Sequence, residues 1–209
     1  MTPIFITGTG TGVGKTIVSA IVTEALQADY WKPVQAGFAD GTDSLLVQQL
    51  ISNKNSVVHK EAYCLQMPAS PHLAAPAEKK TITIKNIMAR LPVTKNRLVI
   101  EGAGGLMVPF SENEFTLDLV KKLKARVIVV SKNELGSINH SLLTAAVLGK
   151  ENIDVMGWIF SGEYKNYEND IERWSGIKKI ASIRQLSEIS KEVIETEAKK
   201  IRPLLLKFL

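Results

Sequence analysis

The 209 residues predict an α/β fold: a mostly parallel sheet with helices on both faces, in a single domain over 1–209. Three observations carry this. Short apolar runs alternate with longer segments whose apolar residues recur at helical spacing. The strand runs are continuously apolar, without the alternation of a sheet that has one wet face, so both faces are covered. A glycine-rich loop sits between the first such strand and the first such helix.

The elements follow in order. Ile4, Phe5 and Ile6 make a buried strand, and 17–26 a helix with Ile17, Val18, Ile21, Val22, Ala25 and Leu26 on one face. A second strand spans 30–34, stopped by Pro33 and Gly37, and Thr42 caps a helix that reaches Leu50. The stretch 52–80 reads as irregular around Pro68, Pro71 and Pro76, with a short helix at 72–75. Thr83 caps a helix over 84–91, and Leu98, Val99 and Ile100 form a central strand that ends at Glu101. Thr116 opens a helix to Leu123, and 127–130 is the clearest buried strand. A helix over 137–148, a strand over 155–160, a helix around Ile171 and a weak strand over 180–183 follow. Last comes a charged amphipathic helix, 187–201, which Pro203 is expected to end.

Composition narrows the function classes. Hydrophobic residues are 45% and charged residues 22% of the chain, the mix of a soluble globule rather than of a disordered or fibrous one. A lone cysteine, Cys64, rules out an internal disulfide and fits a reducing, cytoplasmic setting. The first residues lack the basic region of a signal peptide. No apolar run approaches the roughly 20 residues of a membrane span, so no membrane partner is expected. The net charge of +5 suits an anionic ligand, but the basic residues are scattered as pairs without interleaved aromatics, so nucleic acid is not the expected partner.

The strongest motif is Gly8-Thr9-Gly10-Thr11-Gly12-Val13-Gly14-Lys15-Thr16. Glycines let the backbone turn its N–H groups around a polyphosphate, and the following helix adds its positive end. Lys15 would reach the β- and γ-phosphates, and Thr16 would offer its hydroxyl to Mg²⁺. This makes the fold a P-loop NTPase type. The common spacing wants glycine at position 9, where the chain has Thr9, so the loop is a variant form.

A bound Mg²⁺ needs further oxygen ligands. Glu101 is the first candidate: it ends a strand, where ligands of open α/β sheets gather, and it opens the run Glu101-Gly102-Ala103-Gly104-Gly105. Asp43 is the second, although an acid in the first turn of a helix also serves the helix dipole. Lys32, at the end of the second strand, either points into the site as a fixed cation or lies solvated on a strand edge.

Taken together these pieces resemble the dethiobiotin synthetase family. The matching segments are 7–16, Trp31-Lys32-Pro33-Val34, Asp43, Ser70-Pro71-His72, 101–105 and Leu135-Gly136-Ser137-Ile138-Asn139-His140, covering residues 7 to about 160 in the family's order. The resemblance implies that ATP and Mg²⁺ drive ring closure on 7,8-diaminopelargonic acid with CO₂, through a carbamate and a carbamic–phosphoric anhydride. It implies catalytic roles for Lys15, Lys32 and Thr11. It gives Gly12, Val13, Gly14, Lys15, Thr16, Ile17, Asp43, Glu101, Gly102, Ala103 and Gly104 to the nucleotide, and Thr16, Asp43 and Glu101 to the metal. Substrate contacts fall to Thr7, Lys32, Ala36, Gly105, Asn139 and His140, the last two reaching into the partner subunit of a homodimer.

The chain also departs from the family. Gly12 stands where an acidic residue is frequent, Ala36 where serine is, and Ser161-Gly162 where the family reads adenine with Asn-Asp or similar. Base recognition is therefore expected to be loose, with GTP or CTP tolerated. The rival reading is a partition or membrane-switch ATPase. It shares the variant loop, but its signature lysine would stand near position 10, which is Gly10. Its C-terminal membrane helix would correspond to 198–209.

Overall fold

Ile4, Phe5 and Ile6 have no exposed surface, and they open β1 (Ile4–Gly8), the middle strand of the sheet. The computed structural model describes residues 1–39, 41–163, 167–186 and 188–209. In chain order, β1 is followed by α1 (Lys15–Leu26), β2 (Asp29–Trp31), β3 (Val34–Ala36), α2 (Asp43–Leu50), β4 (Val58–His59), β5 (Tyr63–Leu65), α3 (Pro71–Ala77) and α4 (Ile84–Met88). Then come β6 (Leu98–Gly105), α5 (Thr116–Leu123), β7 (Arg126–Lys132), α6 (Ser137–Lys150), β8 (Val155–Ser161), α7 (Glu168–Ser175), β9 (Lys179–Ile183) and α8 (Lys191–Leu205). Among the described residues the main sheet has seven strands in the order β4-β2-β6-β1-β7-β8-β9, every pairing parallel.

Strand side chains alternate between two cores. Ile4, Ile6, Tyr30, Val99, Ile128, Val130 and Ile159 pack under α1, α2 and α8. Phe5, Trp31, Ile100, Val127, Val129, Trp158 and Phe160 pack on the other face, with buried residues of α3 to α7. The predicted architecture is the observed one.

Several boundaries differ from the sequence expectation, among them the end of the helix predicted over 84–91, which stops at Met88. The strand predicted over 30–34 is two strands in two sheets. Pro33 has no N–H to give, so the ladder stops at Trp31, and β3 pairs instead with β5. The "irregular" stretch 52–80 holds β4 and β5, two and three residues long, too short to show a period. The central strand continues past Glu101 through its glycines to Gly105. Pro203 does not end α8. A proline inside a helix costs about 3 kcal/mol, but burying Ile201 and Leu205 around it returns about 1.5–3 kcal/mol each. Ser187, the predicted start of that helix, lies outside the described residues, and α8 begins at Lys191 with Ser190 as its cap, the Ser190 hydroxyl accepting from Val193 N–H.

Candidate active site

Register brings the chemistry together. Ile6 of β1 lies opposite Glu101 of β6, and Trp31 of β2 lies opposite Ile100. The residue after Trp31 is therefore beside Glu101. Alternation sends Tyr30, Lys32 and Glu101 to the face that carries α1, whose second residue is Thr16. Four segments up to 85 residues apart thus meet at the carboxyl end of the sheet.

The hydrogen bonds are specific. Lys32 Nζ donates to Glu101 Oε1 at 2.8 Å and also to Asp43 Oδ2. Thr16 Oγ1 donates to the same Glu101 oxygen at 3.0 Å, and Tyr30 O–H donates to Glu101 Oε2 at 2.9 Å. Lys32 is 5% exposed and Glu101 1%. A lone buried charge would be prohibitively costly, so each exists because the other is there. Burial pushes the Lys32 ammonium toward the neutral form, but the Glu101 and Asp43 carboxylates outweigh this and hold it above the ordinary lysine value. Burial raises the Tyr30 phenol well above its usual range, and the Glu101 charge adds to that, so Tyr30 stays a donor.

Asp43 is aimed by its backbone as well. Its N–H donates to Gln35 Oε1 at 3.1 Å, while Gln35 Nε2 donates to Gly37 O at 2.7 Å. Gly37 has φ 73, and a Cβ there would stand 2.8 Å from Pro68 Cβ, so the glycine lets the 68–71 segment close against the end of β3.

In the phosphate loop, Thr9 N–H donates to Val130 O at 3.0 Å, and Ser161 Oγ donates to Val13 O at 2.8 Å, anchoring the loop to β7 and β8. Gly8 is glycine for a steric reason: a Cβ would sit 2.6 Å from Val13 Cγ2. Lys15 Nζ turns back onto Gly10 O at 2.8 Å. Its pKa falls to about 8, chiefly through burial, with Lys32 adding to the drop and Glu101 opposing it. An anion arriving in the loop would restore the charge.

These groups line a cleft of about 680 Å³. Of the residues predicted for the site, Thr11, Gly12, Gly14, Lys15, Thr16, Ile17, Lys32, Ala36, Asp43, Glu101, Ala103 and Gly104 line it. The structure does not bring the rest to that surface. Thr7 is wholly buried in β1, its hydroxyl is without a partner among the described residues, and it is not among the residues lining the cleft. Val13 and Gly102 are buried supports, and Gly105 lies against the Gly8 carbonyl rather than in the cleft. Asn139 and His140 are exposed on α6, outside this cleft. Sequence reasoning missed Gln35 and Tyr30. Neither has a motif, and each acts by orienting an acid, a role visible only in three dimensions.

The donor set suits a small hard cation. Two carboxylates and a hydroxyl, all oxygen, converge on one point, and an ammonium now bridges the two carboxylates where positive charge is wanted.

A second, more open cleft of about 490 Å³ lies at the carboxyl ends of β7, β8 and β9. Glu168 is its organiser. It accepts from Asn133 Nδ2 at 2.8 Å, from Lys179 Nζ at 3.0 Å and from Ser182 Oγ. Burial raises its carboxyl, but the bonds from Ser182, Asn133 and Lys179 win and hold it below the ordinary range.

Comparison with known proteins adds an independent line. A family model described as an AAA domain matches residues 2–193. The chain is 48% identical to the ATP-dependent dethiobiotin synthetase of Christiangramia forsetii, over 95% of each chain. It is 45% identical to that of Cytophaga hutchinsonii, covering 96% of this chain and 97% of the relative. Among solved structures, a putative plasmid partition protein of Borrelia burgdorferi is similar, with TM-score 0.62 at 13% identity and full coverage of both chains. A ParA family ATPase of Chlorobium tepidum follows, with TM-score 0.58 at 11% identity over 99% of this chain and 93% of that one. At such low identity these structures speak to the fold, which is that of P-loop ATPases.

Proposed function

The chain belongs to the ATP-dependent dethiobiotin synthetase family, ligases of biotin biosynthesis, and on that premise we propose that it closes the ureido ring on 7,8-diaminopelargonic acid with CO₂ and ATP. The observation that carries the proposal is the meeting of Lys15, Lys32, Asp43 and Glu101 beside the phosphate loop. In this reading the substrate amine captures CO₂ as a carbamate. A carbamate oxygen attacks the γ-phosphorus and ADP leaves. The second amine then attacks the anhydride carbon and expels phosphate.

The residues supply what phosphoryl transfer asks for, which is position and positive charge. Lys15 releases Gly10 O for the β- and γ-phosphates. Lys32 faces the transferring group and the carbamate, where negative charge gathers. Thr11, on the cleft wall, borders the same space, and Ala36 forms part of the substrate wall. Asp43, Glu101 and Thr16 would hold Mg²⁺, which when bound supplies further positive charge on the phosphate oxygens. No side-chain nucleophile is needed, and Cys64, half-buried on β5, is not among the cleft residues.

The base would lie toward Ser161 and Gly162, where the hydroxyl is already spent on Val13 O. That supports loose selection among ATP, GTP and CTP. Asn139 and His140 are exposed beside Leu135 and Leu143, which are 81% and 59% exposed, so α6 offers both polar and apolar contacts to a second copy. This supports a homodimer in which they complete the partner's site.

The test is direct. The protein is incubated with Mg-ATP, bicarbonate and 7,8-diaminopelargonic acid, and ADP and the ureido product should appear together. Nucleotide hydrolysis without ring formation would instead favour a switch ATPase. The absence of a lysine at Gly10 speaks against that alternative, as does the use of α8's apolar face against α1 rather than a membrane.

A further inference from the structure

Ser70-Pro71-His72 is the one matching segment that the mechanism above leaves without a task. Away from the phosphate loop and the acids, the cleft is lined by the apolar Ala36, Pro68, Ala69, Pro71 and Val108 and by two polar residues, Gln35 and Ser70. Ser70 is the N-cap of α3, where a serine ordinarily accepts from the helix's own N–H groups. Here it makes no such bond. Its Oγ instead lies 2.9 Å from His72 Nδ1. The His72 backbone N–H donates to Pro109 O at 3.3 Å, and Ser70 lines the cleft whereas His72 does not.

The proposed reaction needs a proton acceptor, and the other acidic groups of the cleft are occupied. Glu101 accepts from Lys32, Thr16 and Tyr30, and Asp43 accepts from Lys32. Gln35 is bonded at both ends. We propose, resting on the ring-closure reading above, that Ser70 contacts the substrate amine and that His72, acting through Ser70, is a positioning residue that takes away the proton lost when this amine becomes a carbamate.

The step balances. The amine lone pair adds to the carbon of CO₂, a C–N bond forms and one C=O electron pair moves onto oxygen. The nitrogen then gives a proton to Ser70 Oγ while Ser70 gives its own to Nδ1. The imidazole must begin neutral, with its hydrogen on Nε2 and Ser70 as donor, and it ends as imidazolium. Of the elements packed against α3, β3 carries no titratable group and β5 carries Tyr63 and Cys64. Beyond these lie Glu78 and Lys80 at the far end of α3, and Glu112 and Glu114 in the loop after Pro109. Tyr63 bonds Thr81 O, Glu78 and Lys80 bond each other, Glu114 holds Ile84 N–H, and burial keeps the Cys64 thiol up and neutral. Among the described residues none of these bonds His72.

The experiment is the pH profile of kcat/KM for the native enzyme, Ser70→Ala, His72→Asn and the double variant, with Mg-ATP binding followed by calorimetry. At neutral pH each single variant should lose about 10²-fold in rate while binding Mg-ATP normally. The acid limb that the native profile owes to this pair should vanish in both, and the double variant should be no worse than either single. An unchanged acid limb, or losses that multiply in the double variant, would overturn the proposal. If His72→Asn loses nucleotide binding through misfolding, Ser70→Ala decides alone, since it deletes only the hydroxyl. A native enzyme that makes no ureido product would count against the function itself rather than against this pair.

Discussion

The two clefts at the carboxyl edge of the sheet are built by opposite strategies. Around β1, β2 and β6, Lys32, two acids, the Thr16 hydroxyl and the Tyr30 phenol are bonded to one another across elements, and Lys15 lies buried beside them on the Gly10 carbonyl. Around β8 and β9, Glu168 gathers Asn133, Lys179 and Ser182 in an open setting, and Ser161 serves the phosphate loop. The first arrangement suits a step whose transition state gathers charge at one place. The second suits a ligand portion that needs only to be accommodated. Charge cannot be buried without its counter-charge, so the first cleft is closed and interlocked, whereas the second keeps its charged groups paired in a setting open to solvent.

That contrast can be broken most sharply at Lys15. Lys15→Ala should reduce turnover by at least about 10³-fold, because it removes a charge-assisted contact to the transferring phosphate; a variant within tenfold of native in steady-state assays would show that the loop does not grip the γ-phosphate. Lys32→Ala should follow, with a fall in kcat of about 10²-fold. It should also lower stability by roughly 3–5 kcal/mol in denaturant titrations, since Glu101 and Asp43 lose the cation between them. Normal turnover by Lys32→Ala would refute its assigned role.

Base choice tests the other cleft. Turnover with ATP, GTP and CTP should differ by less than about 10³-fold, the level that a site with dedicated base contacts can exceed. A thousandfold preference for ATP would mean that the β8–β9 edge is as selective for its ligand as the lysine site.

The smallest effect is a proton. Lys15 has a pKa of about 8 in the nucleotide-free protein, against an ordinary 10.5. Below about pH 8 it is already charged. Above that, the incoming phosphates favour the ammonium, so binding draws a proton in, approaching one per nucleotide. Calorimetry at pH 9 in buffers of different ionisation enthalpy should detect this uptake, and Lys15→Ala should abolish it. Lys32, held above its ordinary value, stays charged in that window and contributes none. The same sign governs folding. Between about 8 and 10.5 the native state binds fewer protons at Lys15 than the unfolded chain, so this group's contribution to stability rises with pH.

Much of this architecture is legible in the residues themselves. The apolar runs at 4–6, 98–100 and 127–130 specify buried parallel strands because they are too uniformly apolar for any surface. Lys15, Thr16 and Glu101 stand out because glycine-flanked polar residues at strand exits have few other uses. Thr7 shows the limit of such patterns, because a threonine one residue before the loop looks the same whether its hydroxyl faces ligand or core. The short strands β4 and β5 are invisible in the sequence because two or three residues carry no period.

What the sequence alone determined, then, is the order of strands and helices and the identity of the phosphate-gripping loop, since both follow from local patterns of apolarity and glycine. What only the tertiary structure decided is which residues share a charge. The pairing of Trp31 with Ile100 and of Ile6 with Glu101 places Lys32, Glu101 and Thr16 within bonding distance although the chain separates Lys32 from Glu101 by 69 residues. Sheet register is set by the packing of both faces at once, so no single segment could announce it.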